Sequence, residues 1–247
     1  MANIYLLRHG KVSGEAALYG HSDVEVAADI DEKIVEQFSS LNLDIDSVIT
    51  SPLKRCFNLA KLLCKESQLP LTSVAQLKEM NFGLYDGVPF DELHQDKNIW
   101  QSLERFWQNP VQHPLPKAEL LTGFSYRVIN AWQKIVENII REQSGKSIVV
   151  VCHGGVIRMI LAHLLNIDFR NPLWYTNLSI ANGSLTSIEV PNKHAQIKQA
   201  QIKQARVKQI AKPLLVQGTA LLKPATEFNF PYSLLNKIQR EQLQGGV

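Results

Sequence analysis

Three short stretches of this chain set reactive side chains directly after apolar runs: Arg8-His9-Gly10, Ser51 with Lys54-Arg55, and His153-Gly154-Gly155. Brought together, two arginines and two histidines make an anion trap. The planar guanidinium fork suits bidentate contact with a phosphate, and free amides at helix starts after Ser51 and Gly155 can add hydrogen bonds. Each stretch alone has a plainer reading. An Arg-His pair ending a strand is usually a surface loop, His-Gly-Gly is often only a turn, and Ser51-Pro52 is explained by helix capping. Their coincidence at equivalent places is the signal.

The elements around them predict that convergence. Asn3 to Leu7 is an apolar run of strand length, Ser47-Val48-Ile49-Thr50 leads into Ser51, and Ile148 to Cys152 leads into His153. Such runs read as parallel strands buried on both faces. Ser51 is expected as N-cap and Pro52 as the first residue of a helix with Leu53, Phe57, Ala60, Leu63 and Cys64 at helical spacing. A helix is predicted after His153-Gly154-Gly155 through Leu165, another from about Asp31 to Leu41, and a long one from Phe124 to about Arg141 with Val128, Trp132, Ile135 and Ile139 on one face. Strand, polar turn and helix thus recur, which predicts an α/β three-layer sandwich with a mainly parallel, doubly wound sheet. In such a sheet the carboxyl ends of the strands share one edge, where residues distant in sequence can meet. The aromatic, irregular stretch from Asp91 to Pro116 reads as a helical lid insertion, about 88–122.

The catalytic domain is expected over 1–190. The remainder, 191–247, reads as a hairpin, a basic repeat and a C-terminal arm rather than an independent domain. After Asn182-Gly183 a strand runs through Leu185, Ile188 and Val190, and Pro191 to His194 could turn it back. The repeat AQIKQ-AQIKQ-ARVKQ from Ala195 has a period of five, which aligns Ile197, Ile202 and Val207 on neither a helix nor a strand face. A hairpin extension, a short exposed helix and a mobile segment are all compatible with it.

The composition, 45% hydrophobic and 20% charged over 247 residues, excludes fibrous, disordered and disulfide-stapled classes. No apolar run approaches the roughly eighteen residues of a membrane span, and Arg8-His9 interrupt the N-terminus too early for a signal-peptide core, so a soluble cytoplasmic protein is expected. Cys56, Cys64 and Cys152 sit among apolar residues and read as reduced core thiols. Residues 1–190 carry 17 Lys+Arg against 21 Asp+Glu, whereas 191–247 carry 9 against 2, so the basic excess lies in the tail. A polyanion-binding role for the tail is the non-enzymatic alternative, but aromatics are not interleaved with the lysines, and nucleic acid is not the expected partner. His94, His113, His163 and His194 lack ligand-like spacing, so neither metal nor cofactor is expected.

YLLRHG, ITSPLKRC, LKEMNFGLYDG and VVVCHGG, in that order, resemble the signatures of the histidine phosphatase superfamily, with its phosphoglycerate mutase-like fold. The resemblance covers roughly residues 3–190. It implies a phosphomonoester hydrolase in which His9 is phosphorylated and then hydrolysed, Arg8, Arg55 and His153 complete the phosphate pocket, and Glu79 is the general acid. The chemistry agrees. An imidazole is nucleophilic only when unprotonated, and two adjacent guanidinium charges disfavour its second proton. A dianionic phosphate beside Glu79 would in turn favour its protonated form. Tyr19, Gly20 and His21 fall in the loop after the nucleophile, where the substrate body would lie.

The order RHG, LYGHSDV, EMNFG and a Trp-rich lid is most similar to the α-ribazole-5′-phosphate phosphatases of cobalamin biosynthesis. Trp100, Phe106 and Trp107 would then meet a flat organic body, or simply form lid core. A broad-specificity phosphatase and a mutase-type enzyme are the enzymatic alternatives, and a homodimer is compatible with the family. The chain departs from common patterns at Lys11-Val12, at Val26 to Ile30 and at Ala118-Glu119, none of which removes a catalytic group.

Overall fold

The computed structural model describes residues 2–141, 147–190 and 206–214. Its strands are β1 (Ala2–Arg8), β2 (Ser47–Thr50), β3 (Leu71–Ser73), β4 (Ile148–Cys152), β5 (Ser184–Val190) and β6 (Arg206–Pro213). They form one sheet in the order β3-β2-β4-β1-β5-β6. The first four are mutually parallel, and β5 runs antiparallel to both β1 and β6. The strands of the middle, β4 and β1, are covered on both faces, and every residue of β4 is buried. That is why these segments read as unbroken apolar runs rather than as alternating ones.

The helices are α1 (Ala28–Ser39), α2 (Lys54–Ser67), α3 (Phe90–Leu93), α4 (Lys97–Gln108), α5 (Leu121–Arg141), α6 (Gly154–Leu164) and α7 (Pro172–Asn177). Side-chain alternation along β1 sorts the two cores. Ile4 and Leu6 pack with Phe124, Trp132 and Ile157 of α5 and α6. Leu7 packs on the other face with Ile34 of α1 and Leu59 of α2. Three layers result, as the strand-helix recurrence predicts. Among the described residues no helix is long and apolar enough to cross a membrane.

Register does the positioning. Arg8 pairs with Cys152 and Thr50 with Val151, so β1, β4 and β2 end level with one another. The next backbone amides continue the alignment: His9 N–H donates to the Cys152 carbonyl at 3.2 Å and Ser51 N–H to the Val151 carbonyl at 3.0 Å. Three polar turns distant in sequence are thereby set side by side.

Ser51 is not the N-cap of α2. The helix begins at Lys54, its N-cap residue Leu53 offers no side-chain bond, and the Lys54 amide instead donates to Asp23 Oδ1 at 2.6 Å from a different loop. The Ser51 hydroxyl accepts from His153 at 2.8 Å and, more weakly, from the Leu53 amide at 3.4 Å, and the helix starts two residues later than Pro52. Helices α1 and α5 start three residues earlier than the periodicity predicts, at Ala28 and Leu121. The lid is helical, with α4 capped by Asp96, whose Oδ1 accepts from the amides of Asn98 and Ile99. Of the pentapeptide repeat, Arg206 to Gln209 lie in β6, which pairs antiparallel with β5; the expected turn at Pro191 to His194, the rest of 191–205 and the arm from 215 onward lie outside the described residues.

A groove of about 850 Å³ runs between α1 and α2, bordered by Asp31, Asn58, Lys61 and Lys65. Asp31 is only 2% exposed, and its Oδ1 has no hydrogen-bond partner among the described residues. Burial pushes its carboxyl up to about 6 from an ordinary 3.8. The folded state therefore holds this proton more tightly than the unfolded chain, so the stability it contributes is present below about pH 4 and lost as pH rises through 6. Asp31→Asn should raise stability at pH 7 by on the order of 1 to 2 kcal/mol, net of a weaker interaction with the α1 dipole, and leave it little changed at pH 4. Thermal unfolding of both proteins across that range checks the sign.

Candidate active site

His9 follows the last residue of β1 and is 6% exposed. Its Nδ1–H donates to the Gly10 carbonyl at 2.7 Å, and that carbonyl also accepts from Asn182 Nδ2 at 2.9 Å. The Nδ1 proton fixes the tautomer, so the lone pair lies on Nε2. Burial, then the charges of Arg8 and Arg55, hold the imidazole well below its ordinary pKa. The result is an unprotonated nitrogen base of set orientation. Gly183, with φ of +66°, lets the Asn182-Gly183 turn close over the strand end, its amide donating to the carbonyls of Arg8 and His9 at 3.2 and 3.1 Å.

Arg8 donates through Nη1 to the Ile180 carbonyl. Its Nε is buried without a partner among the described residues, so this guanidinium keeps uncommitted donors. It lies against the first turn of α6: a Cβ on Gly154 would stand 3.3 Å from Arg8 Nε. Arg8 thus stands beside the N-terminus of α6, where positive dipole and guanidinium charge would reinforce each other toward an anion.

His153 is fully buried. Its ring centroid is 5.2 Å from that of His9, edge to face. Arg55 Nε donates to His153 Nδ1 at 3.3 Å, so Nε2 carries the proton and donates to Ser51 Oγ at 2.8 Å. Burial, then the neighbouring His9, Arg55 and Arg8, keep His153 well below its ordinary pKa. Arg55 is also fully buried. Beyond His153, it donates from Nη1 to the Ser22 carbonyl at 2.9 Å and from Nη2 to the carbonyls of Tyr19 and Gly20 at 2.9 and 2.6 Å. Four of its five N–H groups are thus committed. Its fork anchors the 19–22 loop, and what remains for an anion is its charge and one Nη1 hydrogen.

Glu79 arrives from the segment after β3. Its Oε1 accepts from the Met80 amide and its Oε2 from the Gly155 amide, both at 3.0 Å. Any side chain at 155 would run into this carboxylate, which is the physical need for glycine there. The backbone carbonyl of Glu79 accepts from Arg127 Nη2 at 2.8 Å.

Of the other loop residues in the sequence reading, Tyr19 and Gly20 meet Arg55 through their carbonyls, and the Tyr19 hydroxyl donates to the Glu15 carbonyl at 2.7 Å. The His21 amide donates to Asp86 Oδ2 at 2.8 Å, and its exposed ring approaches Asn81. Asp86 was not singled out from the sequence. It also accepts from the amides of Gly20, Ser22 and Phe82, tying the nucleophile loop to the segment that carries Glu79. Burial alone would raise its pKa, but bonds from Ser22, Phe82 and His21 outweigh this and hold the carboxyl below its usual range. The only sequence signal was its place between the turn glycines Gly83 and Gly87, with φ of +64° and +79°. Arg158 and Arg127 carried no sequence signal, and Glu119 entered only within the Ala118-Glu119 departure, with no role; Arg158 donates from Nε to the Leu178 carbonyl, beside the segment that holds Arg8. Lys54 pairs with Glu25 at 3.1 Å. Lid aromatics Phe90, Trp100 and Trp107 pack edge to face on one another, with centroids 5.6 to 6.3 Å apart.

The family model for the histidine phosphatase superfamily, branch 1, matches residues 4–203. Among curated relatives, the adenosylcobalamin/alpha-ribazole phosphatase of Escherichia coli is 27% identical over 202 residues, 78% of this chain and 93% of that protein. A putative phosphoserine phosphatase 2 of Hydrogenobacter thermophilus is 25% identical over 208 residues, 80% of this chain and 94% of that one. Among solved structures, a mycobacterial glucosyl-3-phosphoglycerate phosphatase superposes with a TM-score of 0.70 at 17% identity, covering 85% of this chain and 98% of its own. The chain belongs to the histidine phosphatase superfamily, as a phosphatase enzyme with the phosphoglycerate mutase-like fold.

Gly155→Ala separates site geometry from stability. Alanine is the better residue within a helix, so thermal stability should hold or rise by a few tenths of a kcal/mol, while the displaced Glu79 should cost about tenfold or more in kcat/KM. Unchanged activity would show that the Glu79 contact with Gly155 is unimportant.

Proposed function

We propose that this chain hydrolyses small phosphomonoesters through a phosphohistidine at His9. The observation that carries this reading is the fixed tautomer of His9: a buried, neutral imidazole with Nδ1 tied to Gly10 and its Nε2 lone pair left beside Arg8. Nε2 attacks phosphorus and the bond from phosphorus to the ester oxygen breaks. The leaving alkoxide takes a proton from Glu79. Water then attacks the phosphoryl group, Glu79 recovers a proton from that water, and the P–N bonding pair returns to Nε2. Arg8, amides at the start of α6 and the charge of Arg55 stabilise the phosphoryl oxygens in both steps. His153, with both ring nitrogens committed to Arg55 and Ser51, supplies a neutral wall next to the nucleophile.

For the substrate, we infer α-ribazole 5′-phosphate, which would place the enzyme in cobalamin biosynthesis. Two relatives carrying the alpha-ribazole phosphatase name, 27% and 25% identical to this chain, support it, as does the LYGH loop in which Tyr19, Gly20 and His21 would face the substrate body.

Three measurements test the reading. His9→Ala should abolish turnover, and labelled substrate should leave acid-labile phosphate on residue 9 of the wild type. Labelling elsewhere would overturn the mechanism. Because His9 is held well below its ordinary pKa, kcat/KM should not fall as pH drops through 6.5 on account of this residue; a loss there that follows its protonation would contradict the neutral nucleophile. In a panel with 3-phosphoglycerate and nucleoside monophosphates, α-ribazole 5′-phosphate should give the highest kcat/KM, and a better rival would replace it as the assigned substrate.

A further inference from the structure

The segment that carries Glu79 has little regular structure to hold it. Between β3 and α3 it contains two single 3-10 turns, Ala75–Leu77 and Gly83–Tyr85, and Glu79 sits between them with no ladder partner. A side chain from α5 takes the place of a ladder. Arg127 donates from Nη1 to the carbonyls of Gln76 and Lys78 at 2.7 and 2.8 Å, and from Nη2 to the Glu79 carbonyl at 2.8 Å. Its remaining two hydrogens go to Glu119: Nε to Oε1 at 2.6 Å and Nη2 to Oε2 at 2.8 Å. All five N–H groups are used. Glu119 holds the other side of the acid segment, its Oε2 accepting from the Asn81 amide at 3.3 Å while its own amide donates to the Asn81 carbonyl at 2.9 Å.

We propose that the Arg127–Glu119 ion pair is a positioning device that aims the Glu79 carboxylate at the leaving oxygen. The inference rests on Glu79 being the general acid. The carboxylate is held at its tip by the amides of Gly155 and Met80 and at its root by Arg127, so its orientation is referred to the helices α6 and α5 as well as to its own loop. Proton donation in a transition state depends steeply on such placement. The three carbonyl partners of Arg127, on Gln76, Lys78 and Glu79, all lie on the run that leads into the acidic side chain. Burial, and after it the charge of Arg127 among other groups, lowers the proton affinity of His21 and His153. The device needs a planar guanidinium, because a lysine ammonium has three donors and cannot reach carbonyls and carboxylate in one plane.

The test compares Arg127→Gln, Arg127→Lys, Glu119→Gln, Glu79→Gln and the double variant Arg127→Gln/Glu79→Gln on an alkyl phosphate, whose leaving group needs a proton, and on p-nitrophenyl phosphate, whose leaving group does not. The measured quantity is the ratio of the two kcat/KM values, which is independent of how much of each preparation is folded. Both Arg127 variants and Glu119→Gln should lose about 10- to 100-fold on the alkyl ester and less than about threefold on the aryl ester, and the double variant should fall no further on the alkyl ester than Glu79→Gln. Equal losses on the two esters in the Arg127 and Glu119 variants, full rescue by lysine, or a double variant with multiplied losses would overturn the positioning role while leaving Glu79 as acid. No selective loss in Glu79→Gln itself would remove the acid assignment, and the proposal with it.

Discussion

Two imidazoles and the Arg55 guanidinium lie buried at the carboxyl edge of one sheet beside the half-buried Arg8, and such groups are costly to bury unless their hydrogens and charges are met. The site answers this by leaving both histidines neutral and by turning backbone carbonyls toward both arginines. His9 gives its only proton to Gly10, and His153 gives its own to Ser51. Arg55 is surrounded by the carbonyls of Tyr19, Gly20 and Ser22. The same arrangement that makes burial tolerable makes the chemistry possible, since a positively charged neighbourhood both suppresses imidazole protonation and attracts a phosphate.

The two arginines consequently divide the work. Arg55 is saturated by the loop it anchors and acts on an anion mainly through its field. Arg8 keeps a buried Nε and further donors uncommitted, against the first turn of α6. An arginine whose hydrogens are already bonded is part of the scaffold; one with free hydrogens inside a cleft is ready to take phosphoryl oxygens. Sequence motifs present the two as equals, and only the hydrogen-bond pattern separates them.

Around this centre, carboxylates link loops that no secondary structure joins. Asp86 gathers amides of Gly20, His21, Ser22 and Phe82, Asp23 caps α2 from another loop, and Glu119 with Arg127 encloses the backbone on both sides of Glu79. Each link is a charged group bonded to several backbone dipoles, which is stronger and more directional than neutral pairs. The irregular segments are held in this way, so the site can be built from loops and still have a set geometry.

The apolar runs before Arg8, Ser51 and His153 were enough to read the parallel sheet, its three layers and the edge where the pocket lies, because strands buried on both faces leave a local mark in composition. Helices α1, α2, α5 and α6 were legible from their apolar periodicity to within a few residues at their ends, whereas the short α7 and the edge strand β3 left no such mark. The chemistry of His9, Arg8, Arg55, His153 and Glu79 was legible as motifs. What the tertiary structure alone decided was which partner each of these groups bonds: that Ser51 meets His153, that Arg55 is committed to a loop, and that Asp86, Glu119 and Arg127 hold the acid and nucleophile segments together. Those partners lie dozens of residues apart along the chain, and a hydrogen bond between distant residues has no periodicity or neighbouring pattern in sequence to announce it, since it exists only once strand register and helix packing have brought donor and acceptor within 3 Å or so.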